Sequence, residues 1–127
     1  MKKHVLLTAS FGLLILAASI AGCSKRVDAN KPLDQVQAEV QNMNLKQLES
    51  NARAYAKEIT SKNSEVQKAT QQIKTINPTE IFSEKAKGLK DQISKLGSEV
   101  SALSQRYEVY AKKFQELGGN LENIKVS

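Results

Sequence analysis

The sequence predicts an all-α protein, an antiparallel two-helix coiled-coil hairpin that follows an N-terminal leader. Beyond the leader only Pro32 and Pro78 interrupt the chain, so 33–77 and 79–127 are each long enough for one helix. Aromatic residues make up 5% of the chain and tryptophan is absent, a composition that suits long amphipathic helices better than a compact globule. In the second stretch, apolar residues recur at alternating spacings of three and four, which indicates a heptad seam.

Residues 1–22 have the pattern of a cleaved signal peptide. Lys2 and Lys3 give a cationic start, and the apolar run from Val5 to Ile20 is 16 residues long. A helix that spans a bilayer needs about 20 apolar residues, so the run is typical of a signal peptide core. We expect this segment to be absent from the mature protein.

The residues Ile20, Ala21, Gly22 and Cys23 resemble the lipobox of bacterial lipoproteins. The resemblance implies that Ile20, Ala21 and Gly22 are recognised during signal cleavage and that Cys23 becomes the first mature residue. It also implies a diacylglycerol on the Cys23 sulfur and an acyl chain on its amino group, with no further cofactor. Ile20 stands where leucine is usual. The alternative is an ordinary cleaved signal followed by a chance cysteine.

The resemblance covers residues 1–24 and implies attachment to the cell envelope. In enteric lipoproteins an aspartate after the lipidated cysteine retains the protein in the inner membrane. Ser24 occupies that place, which favours the outer membrane, facing the periplasm, in a Gram-negative cell. Residues 23–31 then form the lipidated N-terminus and a short tether, because they have no apolar periodicity.

The charge of the mature chain argues against a nucleic-acid partner. Lys2 and Lys3 are two of the 19 basic residues, so the mature chain keeps 17 basic and 13 acidic residues, a net charge of +4. The basic residues alternate with acidic ones along the predicted helices, as on a solvated surface. We therefore predict a membrane contact through the lipid and no nucleic-acid binding.

The hairpin occupies 32–127. We predict a first helix over about 33–76 with a kink near 42–45, where the apolar pattern changes phase. The order Asn77-Pro78-Thr79-Glu80 gives a capping residue, a proline at the first helical position and a glutamate, which predicts a turn at 77–79 and a second helix over about 80–118. Gly118-Gly119 ends that helix, and a short tail folds back or frays.

The second helix carries the clearest heptad pattern of the chain. The seam consists of Phe82, Ala86, Leu89, Ile93, Leu96, Val100, Leu103, Tyr107, Tyr110, Phe114, Leu117, Leu121 and Ile124. The first helix has a matching seam, so folding at the turn brings together positions whose numbers sum to roughly 158, and Phe82 is expected to meet Ile76. Lys62 is the charged residue in the seam of the first helix. Either its aliphatic stem packs in the seam while the ammonium reaches water, or the residue fixes the register of the two helices.

Tyr55, Tyr107, Tyr110 and Phe114 are the candidate interaction residues, since the predicted pairing brings them together far from the turn. They form either core or a groove for an apolar ligand or partner. The mature chain has no histidine and no thiol outside Cys23, and it lacks phosphate-loop, metal-ligand and nucleophile motifs. We therefore expect no catalytic residues, no metal and no enzyme.

These patterns predict a membrane-anchored lipoprotein that acts as a structural or protein-interaction coiled coil in the bacterial cell envelope. Its partner is a second copy or another envelope protein, bound by helix packing, because an isolated two-helix hairpin is marginally stable. The alternative is a carrier or chaperone-like module that holds an apolar ligand or client at the aromatic cluster. A third possibility is a peptidoglycan tether, although such a tether ends in lysine and this sequence ends Lys125-Val126-Ser127.

Overall fold

The computed structural model describes residues 27–127, which form helices and contain no strand. The elements are α1 (Leu33–Val40), α2 (Leu45–Lys74), a 3-10 helix (Pro78–Glu80), α3 (Glu84–Glu116) and a second 3-10 helix (Leu121–Ile124). The prediction of an all-α helical hairpin is confirmed for these residues, because α2 and α3 pack along each other over most of their length. We call residues 75–83 the turn end of the hairpin, and residues 41–45 with 116–121 its open end.

The first predicted helix is broken at the predicted position, so that it forms two helices. The chain leaves α1 at Val40, turns through 41–44 and enters α2 at Leu45. Asn44 has extended backbone, and its side chain accepts a hydrogen bond from the Gln47 N–H (2.9 Å) while the Gln47 side chain accepts one from the Asn44 N–H (3.0 Å). This reciprocal capping box satisfies two N–H groups at a helix start, so α2 begins afresh at this point.

The helix α1 packs against α3 and adds a third layer to the hairpin. Its inward side chains, Val36 and Val40, are 0% and 2% exposed. At its end, the Lys113 ammonium of α3 donates to the Gln41 side-chain oxygen (3.1 Å). The half of the molecule nearer the open end is therefore three helices thick, whereas a two-helix hairpin was predicted.

The second long helix begins later than predicted. The residues Pro78–Glu80 form a single 3-10 turn, and α3 starts only at Glu84. Ser83 has extended backbone, and its hydroxyl accepts the Ala86 N–H (3.3 Å), so the serine interrupts the helix that Asn77 initiates. Phe82 consequently lies outside the helix and is 96% exposed, and the predicted contact of Phe82 with Ile76 is wrong.

The chain reverses direction after α3. Gly118 has a φ of 91°, a left-handed conformation that favours glycine, and it ends the helix. The predicted seam stops there, because Leu117 and Leu121 are 47% and 39% exposed. Ile124 nevertheless enters the core at 1% exposure, since the folded-back 3-10 helix carries it against α2 and α3.

The core lies in the half of the hairpin nearer the open end. It consists of Val36, Val40, Leu48, Ala52, Tyr55, Ile59, Leu103, Tyr110, Phe114 and Ile124. Nearer the turn end, where neither α1 nor the tail covers the hairpin, larger seam residues are only half-buried; they are Val66, Ile73, Ile76, Leu89 and Ile93. The two halves of the hairpin therefore differ in thickness and in how completely they hide apolar surface.

Candidate interaction site

The four aromatic residues singled out in the sequence belong to one cluster. Tyr55 comes from α2, and Tyr107, Tyr110 and Phe114 come from one face of α3 at spacings of three and four. Tyr55, Tyr110 and Phe114 are 0–1% exposed, and Tyr107 is half-buried. The rings of Tyr55 and Tyr110 have centroids 5.3 Å apart and are tilted by 31°, a favourable arrangement for aromatic pairs.

Two tyrosine hydroxyls hold the segments before α1 and after α3. The Asp28 N–H donates to the Tyr55 hydroxyl (3.3 Å). The Tyr107 hydroxyl donates to the Ile124 carbonyl (2.8 Å). Both hydroxyls thus keep polar partners at the edge of the apolar core, as buried tyrosines require. The protein's own segments directly before α1 and after α3 therefore pack against the cluster.

Burial sets the acidity of the α3 tyrosines. Removal from water raises the pKa of Tyr110 to about 12, and the nearby Tyr55 and Glu39 side chains add to the effect. Burial also raises the pKa of Tyr107. Desolvation disfavours the phenolate, so both tyrosines are neutral at physiological pH.

Arg106 is a structural contributor that the sequence reasoning missed. It is 8% exposed, and its Nε donates to the Lys31 carbonyl (2.9 Å) while an Nη donates to the Ala102 carbonyl (2.7 Å). The first bond ties α3 to Lys31, two residues before α1. Arg106 directly precedes the seam residue Tyr107. A cation beside an apolar seam is the sequence feature that could have indicated this structural role.

The turn end presents the second candidate surface. Phe82 is 96% exposed and Ile81 is 43% exposed. Together with Ser83, Lys87 and Lys90 they line a shallow groove of about 210 Å³. The Ser83 cap holds the residues beside Phe82 in a defined backbone conformation, so the ring is presented on an ordered turn.

Lys62 makes a polar contact across the hairpin. Its ammonium lies 3.2 Å from the Glu99 carboxylate of α3 and 3.9 Å from the Glu65 carboxylate of its own helix. The hydrogen bond to Glu99 raises the pKa of Lys62, against the opposing effect of its partial burial. The ion pair is compatible with both predicted roles of Lys62, because its ammonium pairs with Glu99 at a partly exposed position.

The lipobox residues Ile20, Ala21, Gly22 and Cys23 lie outside the described part of the chain. The structure therefore does not test their predicted roles. Within 27–127, no group of three or more histidine, cysteine, aspartate or glutamate side chains is arranged to hold a metal ion. Over the same residues, none of the helices combines the length and hydrophobicity that crossing a bilayer requires.

The described residues define an all-helical protein built on a long hairpin. Comparison with protein-family models, with curated proteins and with solved structures gave no match for the chain.

Proposed function

We propose that the chain is a membrane-anchored lipoprotein of the bacterial cell envelope that acts as a structural or protein-interaction coiled coil. The sequence Ile20-Ala21-Gly22-Cys23 supports the anchor, with lipid on Cys23 and, in a Gram-negative cell, a place in the outer membrane facing the periplasm. Two or three acyl chains give stable attachment, at about 0.8 kcal/mol per buried methylene.

The hairpin is proposed to be an antiparallel coiled coil. The heptad pattern of α3 supports this, because its d positions Leu96, Leu103 and Tyr110 are 6%, 2% and 1% exposed. The Lys62–Glu99 ion pair adds a polar contact between the two helices. In coiled coils, such charged residues beside the seam select partner and orientation.

The exposure of Phe82 is the observation that carries the interaction role. A phenylalanine that is 96% exposed contributes almost no buried area to the monomer, and the larger seam residues next to the turn end, Ile73, Ile76 and Leu89, are only half-buried. An ordered turn that shows an aromatic ring beside an incompletely covered seam is suited to docking by helix packing. The partner is a second copy or another envelope protein.

The test is a photo-crosslinking residue at position 82 of the lipidated protein in living cells, with position 105 as the matched control. Gln105 is also exposed but lies on α3, away from the turn end. We expect crosslinked protein from position 82 and none from position 105. Phe82→Ser is expected to abolish complex formation and leave the unfolding temperature unchanged, because the ring is exposed. An absence of protein crosslinks at position 82 would contradict the interaction role.

The anchor has its own test, the mass of the protein purified from bacterial membranes. A mature chain that starts at Cys23 and carries diacylglycerol and an acyl chain is expected. A full-length chain, or a chain cleaved elsewhere with an unmodified sulfur, would contradict it. The alternative carrier function through the aromatic cluster gains no support from the geometry, since Tyr55, Tyr110 and Phe114 are already covered by the protein itself.

A further inference from the structure

The exposed large apolar side chains of the described residues lie at the two ends of the hairpin. Ile81 and Phe82 are at the turn end, and three leucines, Leu45, Leu117 and Leu121, are 40%, 47% and 39% exposed at the open end. Isolated exposed leucines are ordinary, but these three all lie near the same end of the hairpin. We call these three leucines the open-end surface.

Helix ends explain why the open-end surface is uncovered. Leu45 is the first residue of α2 and precedes the first buried seam residue of that helix, Leu48. Leu117 follows the last residue of α3, and Gly118 then turns the chain back. Leu121 starts the 3-10 helix that carries Ile124 into the core.

The length of the N-terminal segment limits where a lipid on Cys23 can lie. Asp28 is held against Tyr55 by a hydrogen bond of 3.3 Å, and the five residues from Cys23 to Asp28 span at most about 17 Å. Along α2, Leu45 lies about 15 Å from Tyr55, whereas Lys74 lies about 28 Å away in the opposite direction. A fully extended segment can therefore bring Cys23 to the level of the open end, and the turn end lies farther away along α2.

Charge at the open end complements an anionic membrane surface. Three carboxylates of this region are engaged by a cation, in the pairs Glu49–Arg53, Glu116–Lys113 and Glu122–Lys125. Lys46 and Lys112 are exposed and have no carboxylate partner among residues 27–127. Lysines beside an apolar patch are attracted to anionic headgroups while the apolar side chains enter the boundary of the acyl region.

We propose that the open-end surface seats the protein on the bilayer that holds its lipid, with Leu45, Leu117 and Leu121 at the headgroup boundary and the turn end held away from that bilayer. This inference rests on the proposed lipid anchor. The occupant of the surface is the phospholipid of the same membrane. The hairpin then stands on the membrane and presents Phe82 about 45–50 Å from it, the rise of helices of this length.

The experiment uses the absence of tryptophan from the chain. Leu117→Trp and its matched control Phe82→Trp each place one reporter at an exposed apolar site, one at the open end and one at the turn end. The lipidated variants are reconstituted into vesicles of phosphatidylcholine and phosphatidylglycerol, with and without bromine on the acyl chains. We expect bromolipid to quench the L117W emission by half or more and to leave the F82W emission unchanged. Adding Lys46→Glu and Lys112→Glu to L117W is expected to reduce the quenching.

Three results would overturn the proposal. The first is that bromolipid does not quench L117W. The second is that bromolipid quenches F82W as strongly as L117W, which means that the hairpin lies flat. The third is that the L117W emission is blue-shifted without quenching, which means a protein contact. The mass of the same sample shows whether Cys23 carries lipid, which separates these three results from a failure of the lipid anchor. An unlipidated chain whose L117W is still quenched by added vesicles would contradict the proposed function and support the open-end surface.

Discussion

Gly119 illustrates how closely the end of α3 is packed. A Cβ built on Gly119 would lie 2.5 Å from the Phe114 ring, and that ring is 1% exposed. The Gly119 N–H also donates to the Phe114 carbonyl (2.8 Å). Because the ring is enclosed by the core, it has little room to move away from an added methyl group.

We expect Gly119→Ala to lower the free energy of unfolding by about 1–3 kcal/mol, the usual effect of overpacking a core. The matched control is Gly97→Ala, since a Cβ at Gly97 meets nothing within 4 Å and the position lies inside α3. The control is expected to raise stability by roughly 0.5–1 kcal/mol through helix propensity. Urea denaturation of both variants checks the pair, and equal effects would contradict the packing argument.

Tyr110 makes the fold sensitive to alkaline pH. Its pKa of about 12 in the folded state exceeds the ordinary value of 10.0, so the unfolded chain loses the proton first as the pH rises. The stabilisation is fully present below pH 10 and is lost as the pH rises through 12. Unfolding free energies measured across this window should fall for the wild type and fall less steeply for Tyr110→Phe. The same slope in both would contradict the assignment.

At the level of elements, the segments flanking the hairpin complete its core. The tail is held by the Ile124 side chain and by three hydrogen bonds. They run from Tyr107 to the Ile124 carbonyl (2.8 Å), from the Arg53 Nε to the Asn123 carbonyl (2.7 Å) and from the Thr60 hydroxyl to the Ser127 carbonyl (3.3 Å). On the other side, Arg106 holds the carbonyl of Lys31. A two-helix hairpin is thus covered by the tail and by α1 over half its length.

Ile124→Ala is expected to lower the free energy of unfolding by about 2–4 kcal/mol, because it removes buried methyl groups from the core. Leu121→Ala, in the same 3-10 helix but at a residue 39% exposed, should change it by less than about 0.5 kcal/mol. Thermal unfolding followed by circular dichroism compares the two. A small effect of Ile124→Ala would mean that the tail adds little to the fold.

The heptad pattern predicted the elements better than it predicted their ends. Apolar periodicity identifies the face of α3 that is buried, and Leu96, Leu103 and Tyr110 lie on it. It cannot identify where a helix starts, which at α3 depends on one hydrogen bond of the Ser83 hydroxyl. For this reason the spacing predicts that Phe82 belongs to the seam, whereas in the structure Phe82 lies in solvent.

The candidate site was predictable to a similar extent. The spacing of Tyr107, Tyr110 and Phe114 places them on one helix face, and folding at the turn predicts that this face comes near Tyr55. The contact of the Tyr55 ring with the Tyr110 ring was not predicted, because the two residue numbers sum to 165 and the predicted pairs sum to roughly 158. That α1 would fold back onto α3 was not predictable, because an eight-residue amphipathic segment fits any apolar groove. The exposed surfaces at both ends of the hairpin depend on where the helices begin and end. Apolar periodicity carries no information about those positions.

For the whole molecule, the hairpin topology has a direct measurement. Spin labels on Lys46→Cys and Gln115→Cys, both exposed and near the open end, are expected to lie close together within one chain. Helix axes pack about 8–10 Å apart, whereas an extended rod would separate these positions by roughly 100 Å. Diluting labelled protein with unlabelled protein should leave the short distance in place. Its loss on dilution would mean that the helices pair between chains.

The bonds of Asp28 to α2 and of Lys31 to α3 have a mechanical consequence. A pull on residue 27 is delivered to both long helices at once, in the middle of the core. If the opposing force acts at the turn, the load runs along the helix axes and must shear many side-chain contacts together. A pull applied to one helix end would instead peel contacts apart one after another, at lower force. The fold therefore resists stretching between residue 27 and the turn.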